Sequence, residues 1–500
     1  MALKPSQITR RNFVQRAGLL VSALGVGAGV QSGLMDAIMK KATKKWGGEA
    51  FAATDPNAVA FHVEILMRAG FQANSLFPSD GHKNDTRNQA LNIYSSAANI
   101  TPLTIAGQNA AAKPAYIAKF TAGAGADALG TYLSSTTTNK NGIGLATSEA
   151  VQLLTGQHTG SFASRMPTSS APAPAVLHAA LGPSAPISGI EWNNGVSTTS
   201  GRGNLPALAQ VKDQATFQGL YKDLPMYFTR DELTLIAGSF DATSGALTKA
   251  GVIDNFDAMF ATKNVPGTAD VSAVSVAGRN QAQLSVLAAL QAKFNLITNN
   301  GAGGNFTNIN QSMGGTQLGV ALANAAAAFS AGLLTTFTVS LDSSDWHSDI
   351  SALDDATSKQ AAWNLYIGNA LTGFLKSMDQ LTSPLLASNT KPMSTSFLVS
   401  MSSEFTRTPN RNGGGAGSDN GDGGNASFMF LGSKVKSGSY GNITGAGGVV
   451  GFDPATGAMN AASAINEPMV WKTHGKLLGI SDTTLNSYLP NVVGATGLVK

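Results

Sequence analysis

Three short polar clusters contain the residues whose types are best suited to chemistry. The segment LDSSDWHSD carries Asp345 and His347, SSEFTRTP carries Glu404 and Arg407, and GSDNGDGGN carries Asp419. Carboxylate and imidazole side chains are common protein ligands of Zn²⁺, Mg²⁺, Mn²⁺ and Ca²⁺. If the clusters converge in the folded chain, they supply the side chains that a divalent-metal site needs.

Each cluster is expected at the end of a buried β-strand. Runs rich in apolar and β-branched residues predict strands at 58–68, 335–341, 394–401 and 426–432. The first cluster follows the second of these strands, the next cluster follows the third strand, and the last cluster precedes the fourth. Open α/β sheets bind ligands beyond the carboxyl ends of their strands. The clusters are therefore predicted to meet at that edge of the sheet.

Helices are predicted between these strands. An alanine-rich helix is expected over 316–333, and two apolar stripes at helical spacing predict further helices that face the core. The stripes are formed by Leu284, Leu287, Leu290 and Phe294 and by Trp363, Ile367, Leu371, Phe374 and Met378. Alternating strands and helices indicate an α/β fold with a mostly parallel central sheet flanked by helices.

The composition is that of a globular protein with a large core. The chain has 500 residues, of which 43% are hydrophobic, and it contains no cysteine. The lack of cysteine excludes disulfides, thiolate metal sites and cysteine nucleophiles. After residue 52, no hydrophobic segment reaches the ~18 residues that a membrane span requires, so we expect no stable span in the mature protein.

The first 52 residues have the features of a twin-arginine signal peptide. Arg10 and Arg11 precede a weakly apolar, glycine-containing run that extends to Leu34, and EAFAA supplies a cleavage site of the A-x-A type. We therefore expect export by the twin-arginine machinery, to the periplasm or the extracellular space.

The predicted leader also accounts for the basic character of the chain. Residues 1–52 hold eight of the 33 Lys and Arg residues but only two of the 29 acidic residues. The remainder has 25 basic and 27 acidic residues, a net charge of −2. Because a nucleic-acid-binding protein usually carries a basic surface, no nucleic-acid partner is expected.

The mature chain, residues 53–500, is predicted to be one α/β domain with insertions. The stretch 165–230 differs in texture because it is rich in proline, serine and glycine. We predict that it forms a loop or cap over the sheet and not a separate domain.

Four motifs in fixed order carry a resemblance to a known family. They are QLGVALANAAAAFSAGL, SDWHSD, SEFTRTP and GSDNGDGG. They resemble the motifs of a twin-arginine-exported bacterial family catalogued as domain of unknown function fifteen-oh-one, a divergent branch of the alkaline phosphatase and sulfatase superfamily. That family has W-D-T-H, S-E-F-G-R-T-P and G-S-D-H-G-W-G-G at the last three places. The resemblance covers roughly residues 58–495 and is strongest after 310.

The resemblance implies an alkaline-phosphatase-like fold and metal-assisted transfer of phosphoryl or sulfuryl groups. Metal ions in such sites neutralise developing charge and activate the nucleophile. The positions that match the family's motifs make Asp345, His347, Glu404 and Asp419 the implied metal ligands. Arg407 is the implied anion-binding residue, because a guanidinium fits the geometry of phosphate or sulfate.

The chain departs from the family's pattern at several site positions. Asn420 replaces a histidine, Asp422 replaces a tryptophan, and Gln72 stands where the family has an aspartate. At Ser161 the chain has G-S-F in place of the family's S-H-F, so the position of the nucleophile is not matched. Amide oxygens are poorer ligands for Zn²⁺ than for Ca²⁺, so these changes indicate a weakened, altered or lost metal site.

Structural roles are the alternative for each cluster. Asp345 and His347 would then lie in a strand-end turn before a helix, and Glu404 and Arg407 would form an ion pair that orients a loop. The segment before Asp419 also resembles half of a calcium-binding repeat, but it occurs once and such loops need stacked copies. The other histidines match no motif and are predicted to be surface or packing residues: His62, His82, His158, His178 and His474.

Two functions remain as alternatives. The first is an exported metal-dependent hydrolase that acts on a small phosphate or sulfate ester or a related anionic ester, with an unknown ligand as the alternative. The second is a non-catalytic periplasmic or surface binding protein that keeps the scaffold and has a degenerate metal site. The surviving Asp345, His347 and Glu404 favour the hydrolase, whereas Gln72 and Asn420 favour the binding protein.

Overall fold

The computed structural model describes about half of the chain in nineteen stretches. They are residues 55, 57–68, 76–83, 100–118, 125–152, 171–183, 185, 187–192, 205, 208–223, 287–288, 290–298, 305–306, 318–342, 359–388, 390–403, 425–443, 449–463 and 465–500. The predicted leader, residues 1–52, lies outside these stretches.

Thirteen strands and seven α-helices have their bounds within these stretches. The strands are β1 (Phe61–Arg68), β2 (Ile100–Pro102), β3 (Tyr116–Ala118), β4 (Gly144–Gln152), β5 (Ile187–Trp192), β6 (Ala209–Val211), β7 (Leu334–Asp342), β8 (Phe397–Ser403), β9 (Asn425–Gly432), β10 (Gly438–Ser439), β11 (Asn442–Ile443), β12 (Val449–Val450) and β13 (Ile465–Asn466). The helices are α1 (Gly125–Ser134), α2 (Pro174–Leu181), α3 (Gln214–Asp223), α4 (Leu318–Ser330), α5 (Lys359–Gln380), α6 (Glu467–Leu477) and α7 (Asp482–Tyr488).

A nine-stranded, mostly parallel sheet forms the centre of the fold. Its order is β10-β4-β9-β8-β1-β7-β5-β6, and β13 pairs with β4 beyond this path. Among these strands β9 alone runs antiparallel to its neighbours, β4 and β8. The remaining pairs within the sheet are parallel, as the alternation of strands and helices predicts.

The first apolar core lies on one face of the sheet, against α4 and α5. Successive residues of a strand point to opposite faces, so the odd-numbered residues of β1 share this face. Phe61, Val63, Ile65 and Met67 are buried there with the odd-numbered apolar residues of β7 and β8. Helix α4 is alanine-rich and buried over its whole length, which lets it pack close to the sheet.

A second apolar core lies on the other face and includes the C-terminal helices. It contains Leu398 and Phe430 from the sheet and Trp471, Leu477 and Leu485 from α6, α7 and their surroundings. Helix α2 also packs on this face, directly over Gly189 of β5. A Cβ atom at that position would lie 3.0 Å from Ala179 Cβ and 2.5 Å from Leu208 Cδ2, so glycine permits the close approach.

The main strands and helices of the sequence analysis are confirmed. The predicted strands at 58–68, 335–341, 394–401 and 426–432 correspond to β1, β7, β8 and β9. The alanine-rich helix is α4, and the stripe that ends at Met378 lies on α5. The stripe that includes Leu290 and Phe294 lies on helical residues 287–288 and 290–298.

The stretch 165–230 differs from the predicted loop or cap. Its described residues contain α2, β5, β6 and α3, and both strands belong to the central sheet. Strand β5 pairs in parallel with β7, and Trp192 at its end is buried against Phe217 and Phe337. The sequence analysis did not identify β5 and β6, because strands of six and three residues are too short to show a clear alternation of apolar and polar residues.

None of the helices described is long and apolar enough to cross a membrane.

Candidate functional site

The strands that precede or follow the predicted clusters meet at one edge of the sheet. Residue Arg68 of β1 lies in register with Asp342, the last residue of β7. Met67 lies in register with Ser403, the last residue of β8, and β9 enters the sheet from the same edge because it runs the opposite way. The carboxyl ends of three parallel strands and the start of β9 are therefore adjacent.

The predicted site residues themselves lie outside the described stretches. Asp345 and His347 come three and five residues after the end of β7, Glu404 comes directly after β8, and Asp419 comes six residues before β9. Arg407 belongs to the same segment as Glu404. The structure thus brings together the strand ends that carry these residues, and their contacts with one another stay a prediction.

Three to four residues before the ends of β1, β7 and β8, the face of the sheet on which α2 packs carries buried polar residues. Glu191, Thr338, Glu64 and Ser400 form one cross-strand row on β5, β7, β1 and β8. Their side chains are between 0% and 6% exposed. Buried parallel sheets are usually apolar on both faces, so this row is not what packing alone would select.

Glu64 occupies the centre of this row and contacts the first turn of α2. Its carboxyl accepts a hydrogen bond from the backbone N–H of Ala175, and α2 has no capping side chain of its own. Burial raises the pKa of Glu64 to about 8, the Ala175 N–H lowers it, and the nearby Glu191 raises it further. At neutral pH Glu64 is therefore largely protonated, which makes it a buried proton donor and acceptor.

Three buried histidines lie beside the row and come from three different elements. His62 of β1, His178 of α2 and His474 of α6 are between 0% and 5% exposed. The ring of His62 is 5.5 Å from that of His178 and 5.0 Å from that of His474, between centroids. We call these three residues the histidine cluster.

The hydrogen bonds of His178 determine its tautomer. Its Nε2 is 2.8 Å from the backbone carbonyl of Val59, which can only accept, so Nε2 carries the proton. Its Nδ1 is 2.7 Å from Thr336 Oγ1 and accepts from that hydroxyl in the neutral ring. His178 therefore connects α2 to β7 and to the residues that precede β1.

His62 and His474 form a direct imidazole pair. Their Nε2 atoms are 3.0 Å apart, so one ring donates and the other accepts. In the described part of the chain, His62 Nδ1 is buried without a hydrogen-bond partner. Phe430 packs edge-on against His474 at 5.1 Å between centroids, which closes the cluster on the side of β9.

All three imidazoles are held neutral by their surroundings. Burial lowers the pKa of His178 to about 4, against a smaller opposing effect of the Val59 carbonyl. Burial, followed by repulsion from His178, lowers the pKa of His474 to about 3. The pKa of His62 is also well below its usual range because of burial and its two histidine neighbours.

The geometry of the histidine cluster does not match a hydrolytic centre. His62 Nε2 is 3.4 Å from Ser400 Oγ, but the same nitrogen faces His474. A base that activates a serine uses one ring nitrogen for the hydroxyl and the other for an orienting group, whereas His62 Nδ1 has no such group among the described residues. Within the described stretches, no set of three or more His, Cys, Asp or Glu side chains is arranged to hold a metal ion.

Sequence reasoning missed both the polar row and the histidine cluster. The histidines were predicted to be surface or packing residues, and His62 and His474 are separated by 412 positions. The one available signal was the even-numbered polar residues in FHVEILMR and in LTTFTVSLD. Such alternation is typical of a strand with one polar face.

Comparisons with known proteins leave the resemblance to the alkaline phosphatase and sulfatase superfamily a prediction. No family model, curated protein or solved structure shows a significant match to the chain.

Proposed function

We propose that the chain is an exported, divergent relative of the alkaline phosphatase and sulfatase superfamily that hydrolyses phosphate or sulfate esters with the help of a divalent metal ion. Asp345, His347, Glu404 and Asp419 would hold the metal, and Arg407 would bind the anionic group of the ester. The metal would supply charge neutralisation and activation of the nucleophile.

One structural observation supports this proposal. The ends of β7 and β8 lie on either side of the end of β1, and β9 begins at the same edge. Each of the three ligand-bearing segments attaches to one of these strand ends. Adjacent parallel strands are ~4.8 Å apart, so segments that leave neighbouring ends can reach a common point. The position also agrees with the general location of ligand sites in α/β sheets.

The chemical types of the four candidate ligands fit a hard or borderline cation. Three carboxylates and one imidazole suit Zn²⁺ or Mn²⁺, and a site that recruits the amide of Asn420 would tolerate Ca²⁺. Arg407 lies three residues after Glu404, which allows a guanidinium beside the carboxylate ligand. A phosphate or sulfate ester carries the negative charge that such a pair of metal and arginine would bind.

The first test is the metal content of the full chain, purified from cells without chelator and measured by elemental mass spectrometry. The wild-type protein is expected to contain near-stoichiometric metal. The double variant Asp345→Ala, Glu404→Ala should lose it, because an uncompensated loss of two ligands weakens a metal site severely. The matched control is Asp482→Ala, which removes an exposed carboxylate that pairs with Lys476.

The second test uses 4-nitrophenyl phosphate and 4-nitrophenyl sulfate as chromogenic esters. Hydrolysis by the wild type and the control, with loss in the double variant, would support the hydrolase. Folded protein that contains no metal and gains none on addition of Zn²⁺, Mn²⁺ or Ca²⁺ would overturn it. That outcome would leave the alternative of a non-catalytic binding protein, which Gln72 and Asn420 favour.

A further inference from the structure

The C-terminal segment 465–500 packs on the same face of the sheet as His62 and is hydrogen-bonded to the rest of the chain at several points. At its end, Lys436 N–H donates to Leu498 O and Lys500 N–H donates to Lys434 O, both at 2.9 Å. Its first residues pair with β4, and the backbone N–H of Val59 donates to Leu478 O at 2.8 Å. Trp471 Nε1 donates to Pro172 O at 2.8 Å. The histidine cluster adds the bond between the side chains of β1 and α6.

This segment belongs to the second apolar core and not to the first. Trp471, Leu477, Leu485 and Leu498 pack with residues of β8, β9 and the loop after β9, whereas α4 and α5 pack in the first core. Because the two cores lie on opposite faces of the sheet, one can open without exposing the other. Proteins commonly open in such cooperative parts.

The hydrogen bond between His62 and His474 requires that one of the two Nε2 atoms carry no proton. If His62 and His474 both take up protons, two N–H groups face each other across 3.0 Å and the hydrogen bond is lost. A proton on His178 Nδ1 converts it from an acceptor into a donor toward Thr336. A cation on His62 would also be repelled by cations on its two neighbours, whose ring centroids lie 5.5 Å and 5.0 Å from its own.

No neighbouring charge that the structure describes compensates protonated histidines. The titratable groups on the surrounding elements are Glu64 of β1, Glu191 of β5, and Glu467, Lys472 and Lys476 of α6. Arg68 and Asp342 end β1 and β7, six residues along these strands from His62 and Thr336. The described residues of β7 and β8 that contact the cluster are threonine and serine, and α2 contributes no charged residue. Glu64, the carboxyl on the same strand face, keeps its proton below about pH 8 and stays neutral when the histidines titrate.

The two lysines of α6 interact with groups outside the histidine cluster. Lys472 Nζ donates to Asn486 Oδ1 at 2.6 Å and to the carbonyl of Leu489 at 2.9 Å, and Lys476 pairs with Asp482. Glu467 stands at the first turn of α6, seven residues from His474. Glu191 lies two strands from His62 and accepts from Gln210 Nε2 at 2.9 Å.

We propose that the histidine cluster is an acid-sensitive clamp, which holds the C-terminal segment 465–500 on the same face of the sheet as His62 at neutral pH and releases it in acid while the first core stays folded. The device is independent of the proposed hydrolase activity, since none of its residues is a candidate metal ligand. Its effect is to uncover His62 together with Leu398 and Phe430, the residues of the sheet against which the segment packs.

The test is hydrogen exchange of the full chain between pH 4 and pH 7.5, followed by mass spectrometry and corrected for intrinsic rates. Peptides from 465–500 should lose at least about tenfold in protection across this range. Peptides from α4 and β7 should keep theirs. Equal loss in both sets of peptides would overturn the proposal, because it would mean global acid unfolding.

The variant His474→Gln separates proton uptake from simple loosening. A glutamine amide can still hydrogen-bond to His62 but does not titrate. The slope of the logarithm of the opening constant of 465–500 against pH should therefore be smaller than in the wild type, by about one proton. The matched control is Phe430→Leu, which loosens the same contact and keeps every titrating group. In this variant the opening constant of 465–500 should be larger at every pH, and its slope against pH should equal that of the wild type.

A second variant protects the test against misfolding of the first. His178→Gln keeps a donor for the Val59 carbonyl and removes another titrating ring, so it should also reduce the slope by about one proton. Slopes equal to that of the wild type in the folded histidine variants would contradict the clamp.

Discussion

The two faces of the central sheet are both buried, yet they are built from different kinds of residue. On β7, Phe337, Val339 and Leu341 point to one face, whereas Thr336 and Thr338 point to the other. On β1 and β8 the second face is mixed, because Glu64 and Ser400 lie on it together with the apolar residues Leu66 and Leu398. The apolar face gains free energy from burial alone, whereas every group on the polar face must find a partner or remain costly. Both faces therefore contribute apolar burial, and the buried polar groups of the second face make stability depend on pH.

The largest expected effect comes from the apolar face. Phe337→Ala should cost about 3–5 kcal/mol, because it removes a fully buried ring that packs against Trp192 at 6.1 Å between centroids. The cost should be the same at pH 5 and pH 8. Urea unfolding followed by tryptophan fluorescence measures it. A cost below about 1 kcal/mol would mean that this face is not the main source of stability.

The next effect tests the charge state of the polar face through Glu64→Gln. The folded chain holds the Glu64 proton up to about pH 8, whereas the ordinary value is 4.5. Because the folded pKa is raised, the contribution of Glu64 is complete below about pH 4.5 and is lost as the pH rises to about 8. At ~1.4 kcal/mol per unit, this loss amounts to a few kcal/mol.

The glutamine variant should therefore gain stability over the wild type as the pH rises from 5 to 8. Glutamine retains an acceptor for the Ala175 N–H, so the comparison isolates the titration. The control is Asp482→Asn, which removes an exposed carboxylate far from the polar row. If the Glu64→Gln curve runs parallel to that of the wild type, Glu64 is not a buried acid with a raised pKa.

The smallest effect compares two neighbouring threonines of β7. Among the described residues Thr338 Oγ1 has no hydrogen-bond partner, whereas Thr335 Oγ1 donates to Ser188 O at 2.7 Å. Thr338→Val should raise the free energy of unfolding by about 1 kcal/mol, and Thr335→Val should lower it by about the same amount. Chemical unfolding at pH 7 gives both values. The same sign for both would show that the hydroxyl of Thr338 is satisfied in solution.

Much of the central sheet could be predicted from the sequence because its strands are locally distinct. The runs that became β1, β7, β8 and β9 are rich in apolar and β-branched residues and are bounded by polar ones. The stripe on α5 repeats with the helical period, and its members Ile367, Leu371, Phe374 and Met378 are all buried. Each of these signals lies within about twenty consecutive residues, where periodicity can be read.

The short strands β5 and β6 could not be recognised in the same way. They lie in a stretch rich in proline, serine and glycine, and what identifies them as strands is their pairing with β7 and with each other. The antiparallel direction of β9 is also a property of the pairing, since a strand's own residues are compatible with either direction.

For the candidate metal site, the sequence predicted which residues are the ligands and at which edge of the sheet they lie, but not their distances from one another. The motifs around Asp345, Glu404 and Asp419 and the rule for strand ends identify the edge of the sheet, and the register of β1, β7 and β8 agrees with that edge. Whether the side chains form one metal site depends on their distances, which a sequence does not contain.

The sequence by itself determined the α/β class, the identity of the main strands and the alternation that gives β1, β7 and β8 one polar face. Only the tertiary structure decided that this polar face would be buried, and that His62, His178 and His474 would meet there. The physical reason is that alternation is a local property of the backbone, whereas burial and the resulting pKa values arise from contacts between residues hundreds of positions apart.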